Sequence, residues 1–313
     1  MEMFAVSLLN GTIYGLLLFM IAAGLTLIFG MMGVLNFAHG SFYMLGAYAG
    51  YVLSTRVGFF PGLAVAGLIV AAIGAIIERY MLRSVHVHGH AHELLLTFGL
   101  LFVFDEVVKC FFGYFPVSYQ VPEVLSVSAF CIGSLAYPAY RLFIGLVSIG
   151  LFGVLVFMLR FTRVGLVVRA AVHKPTMVEA LGHNVPLVML LVFAVGAGMA
   201  GLAGAVAGAF YPTSPAMASE IGTIVFVVVV VGGLGSLGGA FIASLLIGIL
   251  TTLLVGIDTT LADALAFFGL GNWGKDIGGL LTVPLSASAG TLPFALMLLV
   301  LLLRPAGLMG ERT

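Results

Sequence analysis

Charge is what this chain of 313 residues has least of: Asp, Glu, Lys and Arg together make up 8%, and 12 basic residues balance 12 acidic ones. Without a basic surplus there is no electrostatic footprint for nucleic acid. Tryptophan occurs once and cysteine twice, so no disulfide framework holds the chain together. Cys110 and Cys131 both fall near the presumed outer face, where a disulfide is chemically permitted, and both also suit the role of small apolar fillers. Long polar stretches are missing as well. The longest are roughly 25 to 35 residues, short of the about 50 that an independent catalytic or nucleotide-binding domain takes. The opening MEMFAVSLLN has no Lys or Arg, which speaks against a cleaved signal peptide and makes the first helix a true span.

What is present is apolar. Hydrophobic residues make up 62% of the chain, with 42 glycines and a mean hydropathy of +1.25, the composition of a multispanning membrane protein. Runs long enough to cross the hydrocarbon fall near 5–29, 38–55, 61–81, 94–114, 139–159, 187–210, 220–235, 239–257 and 289–303. They predict an all-α polytopic helical bundle of eight or nine spans, one transmembrane domain over 1–313. With the N-terminus outside and the C-terminus inside, Arg79, Arg83, Arg160, Arg163, Arg169, Lys174, Arg304 and Arg312 fall on the cytoplasmic side. That leaves Arg56, Lys109, Arg141 and Lys275 outside or within a span, in keeping with the positive-inside rule.

Against this background each polar segment asks for a role. Between Met3 and Thr55 no charged residue occurs, yet LNFAHGSFYMLGAY carries Asn36 and His39 amid glycines. Polar side chains in lipid are costly and usually functional. The break from Gly30 to Gly40 must lie at the inner end of the first span or within a broken helix, where free carbonyls need donors. Asn36 and His39 either cap that backbone or serve as a gate or pathway contact; no nucleophile or ligand set accompanies them to make a catalytic or metal site. A second glycine break, GGLGSLGG (232–239), separates two apolar runs in the same way. We read a weak internal repeat of two halves, with irregular backbone beside a central pathway, and Gly40, Gly232, Gly235 and Gly239 as its pathway glycines. Gly196, Ala200, Gly204 and Gly208 follow the small-xxx-small spacing of closely packed helices.

The segment 161–186 is basic, long, and still carries apolar residues at helical spacing. Pro175 and Gly182 punctuate a two-turn helix, Thr176 and Glu179 read as a capping box, and Val178 with Leu181 make a small apolar face. This face suits docking of a cytoplasmic partner or, alternatively, the lipid surface. Asp105 and Lys109 stand four apart, beside Glu106, in the fourth span; they predict an internally paired cluster, with a coupling-ion site as the alternative. His86, His88, His90 and His92, if extended, would share a face and offer a metal signal, against the plainer reading of a solvated loop. GLGNWGKD (269–276) has the glycine–lysine spacing of a phosphate loop but puts Asp276 where a hydroxyl is needed; 258–290 reads as a turn-rich periplasmic extension.

The stretches GLTLIFGMMGVLNFAHGSFYMLGAY (24–48), RAAVHKPTMVEALGHNV (169–185), VVVVVGGLGSLGGAFIASLLIGIL (227–250) and LLLRPAGLMG (301–310) resemble the permease subunits of branched-chain amino acid ABC importers, the LivH/LivM type. The resemblance covers nearly the whole chain. It implies that 169–185 is the coupling segment, with Arg169, Pro175, Val178, Glu179, Leu181 and Gly182 at an ATPase. It also implies a second homologous permease, two cytoplasmic ATPases holding ATP and magnesium, a periplasmic substrate-binding protein, and the bacterial inner membrane. No cofactor or enzyme activity is expected in this chain. The expected cargo is a branched-chain or other hydrophobic amino acid; amides, urea, aromatic acids or sugars, or an ion-coupled secondary transporter, are the alternatives.

Overall fold

The computed structural model describes residues 2–132, 135–257, 259, 260, 263 and 282–310. Helices occupy all nine apolar runs. In chain order they are α1 (Glu2–Met32), α2 (His39–Val57), α3 (Phe59–Ile77), the four-residue α4 (Arg83–His86), α5 (His90–Phe112), α6 (Ala139–Phe161), α7 (Arg163–His173), α8 (Pro175–Ala180), α9 (Val185–Gly208), α10 (Met217–Gly232), α11 (Leu237–Val255) and α12 (Leu292–Leu303). Among the described residues, five helical stretches are long and apolar enough to cross a membrane: α1, α3 running on through α4, α6, α9 and α11. α10 and α12 are shorter apolar helices, while α2, at 19 residues, and α5, at 23, have the length but carry more polar residues.

The expectation of an all-α chain needs a small correction. Between α5 and α6 an antiparallel hairpin pairs β1 (Ser128–Ile132) with β2 (Leu135–Pro138). Phe130 and Tyr137, opposite each other on the two strands, stack their rings 5.4 Å apart and supply a cross-strand contact.

α1 is apolar on all sides, and that determines its place: a helix without a polar face must be surrounded. It is buried from Leu16 to Ile28 and packs against α11, α9, α6 and α10. α2, α3 and α9 form the other dense group. α6 is peripheral, with Leu146, Val154 and Phe157 exposed, as are Leu68 on α3 and Phe102 and Phe111 on α5. That outer apolar surface is what a bilayer would cover.

The small residues of α9 are what let these helices meet. Gly196 faces Gly24 of α1, and a Cβ on Gly196 would come 2.8 Å from the Gly24 oxygen. Gly204 lies against the Tyr43 carbonyl of α2, and Gly201 against Val70 of α3. The small-xxx-small row is therefore an internal scaffold.

At one end of the bundle lie the α1–α2 break, α7, α8 and segment 304–310; at the other lie the α2–α3 turn, the hairpin and the last turn of α11. Of the expected extension 258–290, most, including GLGNWGKD, lies outside the described residues; Thr260 and Pro284 form an antiparallel bridge.

Candidate functional site

The glycine-rich break after α1 falls at the end of that helix, not within it. Helix geometry persists to Met32, and Gly33, with a φ of +68°, turns the chain where a side chain would be strained. Asn36 and His39 are both buried beside this turn. The Asn36 Oδ1 accepts from the Ala38 amide at 3.0 Å, a local side-chain turn just ahead of α2. His39 reaches further: its Nε2 donates to the Ile21 carbonyl of α1 at 3.0 Å. The tautomer follows from the carbonyl, which only accepts. Asn36 Nδ2 and His39 Nδ1 are buried without a partner.

The second break meets the first. Gly235, with a φ of +83°, lies beside Gly30; a Cβ on Gly30 would come 3.6 Å from the Gly235 Cα. Gly232 and Gly239 face each other across the turn, closely enough that a Cβ on Gly232 would be 2.5 Å from the Gly239 carbonyl carbon. Gly40 packs on α10 at Ala218 and Gly222. Two irregular segments far apart in sequence thus form one junction, closed from below by residues 304–310. There Leu308 and Met309 donate their amides to the Val231 and Gly232 carbonyls at 2.9 and 3.0 Å. These are end-of-helix carbonyls of α10 that would otherwise go unpaired.

Replacing His39 by leucine should remove the α1–α2 pin and lower stability by about 0.5–1.5 kcal/mol, read as an earlier thermal unfolding midpoint, with His39→Gln intermediate. A transport defect with unchanged unfolding would instead give His39 a pathway role.

The basic segment forms two helices. Thr162 caps α7, its Oγ1 accepting from Gly165 N at 3.2 Å. Val168 and Ala171 turn inward, while Arg169 is exposed. Only Lys174 separates α7 from α8, so Pro175 opens α8 directly and Thr176 lies inside its first turn. The expected Thr176–Glu179 capping box does not form for that reason: the cap position is Lys174, with no side-chain hydrogen bond. Gly182, at a φ of +85°, ends the helix. Val178 and Leu181 do not share a free face. Val178 is buried, whereas Leu181 is 78% and Met177 61% exposed. Glu179 is also exposed.

The histidine tract is not extended: α4 holds His86, α5 holds His90 and His92, and a turn lies between them. His86 and His90 each donate Nδ1 to the fully buried Glu93, the latter at 3.1 Å. A buried carboxylate needs such donors. Among the described residues no group of three or more His, Cys, Asp or Glu is arranged to hold a metal ion. Asp105 and Lys109 pair at 2.5 Å, with Glu106 3.7 Å from the same ammonium, as their spacing predicts. Cys110 and Cys131 are free and exposed.

The model of the family described as branched-chain amino acid transport system / permease component matches residues 7–301. The chain belongs to this family. It is 29% identical to the high-affinity branched-chain amino acid transport system permease protein LivH of Escherichia coli (strain K12), over 98% of this chain and 96% of the relative. Against BraD of Pseudomonas aeruginosa, of the same description, identity is 26% over 97% and 95%. Against a probable LivH of Methanocaldococcus jannaschii it is 27% over 77% and 78%. Among solved structures, PsaBC from Streptococcus pneumoniae in complex with Fab aligns with a TM-score of 0.45 at 14% identity, over 93% of this chain and 89% of that one, a likeness too distant to carry an argument.

Several residues of this permease-family chain were not singled out by its sequence. Glu93 is invisible as a histidine acceptor because the turn at Gly89 creates the contact. Glu78 is buried in a π-helical turn (Glu78–Leu82) with Oε2 unpartnered; such turns have no sequence signature, though they recur at functional sites. Met177 replaces Val178 on the free face of α8.

Proposed function

We propose that this chain is one of two homologous permease subunits of an ATP-driven importer for branched-chain or other hydrophobic amino acids. The family match over residues 7–301 carries the reading. ATP and magnesium belong to two cytoplasmic ATPase partners, and an external binding protein delivers the solute. The membrane is the bacterial inner membrane. The N-terminus lies outside, a topology supported by Arg79, Arg83, Arg160, Arg163, Arg169, Lys174 and Arg304 gathering at the α7–α8 end, with Arg56 and Arg141 at the other.

In this reading α7 and α8 couple the machine. Val178 anchors α8 to the membrane domain while Met177 and Leu181 offer an apolar contact to the ATPase, so closure of the ATPases pushes α8 and rocks the two permeases from outward-open to inward-open. The glycine junction, with Asn36, His39, Gly40, Gly232, Gly235 and Gly239, borders the moving interface.

The test is recovery of ATPase subunits with the tagged chain from its native membrane in mild detergent. Met177→Glu with Leu181→Glu, both solvent-facing, should reduce recovery at least about tenfold, as loss of a central apolar anchor does, while leaving the permease folded. No ATPase with the unmodified chain, and uptake that follows an ion gradient and is lost in Asp105→Asn, would overturn the proposal in favour of a secondary transporter.

A further inference from the structure

At the end of the bundle opposite α7 and α8, a cleft of about 440 Å³ opens between residues 10–17 of α1, the first turns of α6, the turn after α9 and the last turns of α11. Arg141, Asn10, Phe210 and Thr251 are among its lining residues. Arg141 is held from several sides. Its Nη1 donates to the Asn10 Oδ1, which also accepts from the Tyr137 hydroxyl at 2.8 Å. The guanidinium carbon lies 4.9 Å from the centre of the Phe210 ring and 5.9 Å from that of Tyr137.

No carboxylate among the described residues pairs with Arg141; the ion pairs among them involve Glu93, Asp105 and Glu106. Guanidinium stays charged at any physiological pH, and a half-buried cation without a counter-charge is costly to keep. Its Nε is buried without a hydrogen-bond partner, and the Oγ1 of Thr251, on the same cleft, is likewise buried and unpartnered. The charge is also felt next door: burial raises the Tyr211 phenol above its ordinary range and Arg141 pulls it back. Asn10 and the two aromatic rings fix the guanidinium and leave its Nε without an acceptor. A guanidinium so held, rigid and planar, fits a carboxylate. Beside it Ile13, Ile144 and Val255 give the cleft apolar walls, and the volume is of the order that holds a small solute.

We infer that this cleft is a carboxylate site, in which Arg141 takes the carboxylate of a small solute, Thr251 adds a hydroxyl, and the solute's apolar body lies on Ile13, Ile144 and Val255. The inference rests on the proposed importer function, in which it supplies a first stop for an apolar amino acid entering from outside. The phosphate headgroup of an anionic lipid presents the same anion to the same fork, and the experiment separates the two.

The permease with its co-purified subunits, reconstituted in phosphatidylcholine nanodiscs, is titrated with L-leucine, with 4-methylpentanoate, which keeps the carboxylate without the amine, and with leucinamide, which has lost the carboxylate. The first two should bind and leucinamide should not. Arg141→Gln should weaken both about ten- to hundredfold, the loss expected for a charge-assisted hydrogen-bonded pair, and Arg141→Lys should fall between. Thr251→Val, which leaves the Asn10 network untouched, should weaken them by a few-fold and guards against misfolding of the arginine variants. Equal binding of leucinamide, or binding indifferent to both positions, overturns the site. So does native mass spectrometry in which phosphatidylglycerol is retained by the unmodified protein and lost in Arg141→Gln while leucine binding does not change, because the cleft is then a lipid-headgroup site. If 4-methylpentanoate binds in an Arg141-dependent way but the complete transporter takes up no leucine with ATP, the carboxylate site stands and the amino-acid importer reading fails.

Discussion

Replacing Gly204 by valine is expected to leave no stably folded permease. A Cβ at this position would run into the Tyr43 carbonyl of α2 and come 3.0 Å from the Ala47 amide nitrogen. Both obstacles are helix backbone, so no rotamer change relieves them. α2 and α9 would have to separate, and the separation would propagate to Gly46 against Gly201 and to Gly24 against Gly196. Overpacking usually costs about 1–3 kcal/mol and more where backbone must shift; here we expect at least about 3 kcal/mol. Fluorescence-detected size exclusion of a tagged chain reads the result as loss of the monodisperse peak. Gly150→Val on α6 is the matched control, because a Cβ there meets nothing within 4 Å, and it should behave as the unmodified protein. Wild-type yield and unfolding temperature in Gly204→Val would contradict the packing described.

The second large effect is expected from deleting residues 304 onward. The deletion strips the Val231 and Gly232 carbonyls of the amides of Leu308 and Met309. Each carbonyl that loses its donor and stays buried costs about 1–3 kcal/mol, so the pair amounts to at most about 2–6 kcal/mol. A milder probe is Gly307→Val. Gly307 has a φ of +79°, and a Cβ there would lie 2.6 Å from the Gly233 Cα, so the substitution pushes the segment away without removing it. Thermal unfolding should show both variants destabilised, the deletion more. A truncated chain that unfolds at the unmodified temperature would mean that α10 finds other donors.

Much of this architecture could be read from the chain because long apolar runs have few alternatives in a bilayer: each must become a helix, and the glycine breaks between them mark the turns. The Asp105–Lys109 pair was legible for a similar reason, since both residues lie on one helix and their spacing alone brings them together. Features that depend on a distant neighbour were not. Val178 and Leu181 look equivalent in a two-turn helix, and only the packing of α8 beneath α7 and α9 turns one inward and leaves Met177 and Leu181 outside. The alternating histidines suggested an extended face, yet the helix propensity of the flanking residues and the turn at Gly89 folded them around Glu93. Asn10 and Arg141 are 131 residues apart, and nothing local to either announces the other. Asn36 was expected to donate to free carbonyls, yet its Oδ1 accepts from the Ala38 amide and its Nδ2 has no partner; the reach of His39 to Ile21 was open in direction.

The interlock of α9 with α1, α2 and α3 also determines where this molecule is stiff. Helices separated by long side chains give way when sheared, because rotamers can shift to absorb the displacement. Glycines in backbone contact offer no such compliance: a sideways load on one helix passes directly to the next. α1, α2, α3 and α9 therefore respond as a single lever, and deformation concentrates where α5 and α6 meet it through flexible side chains.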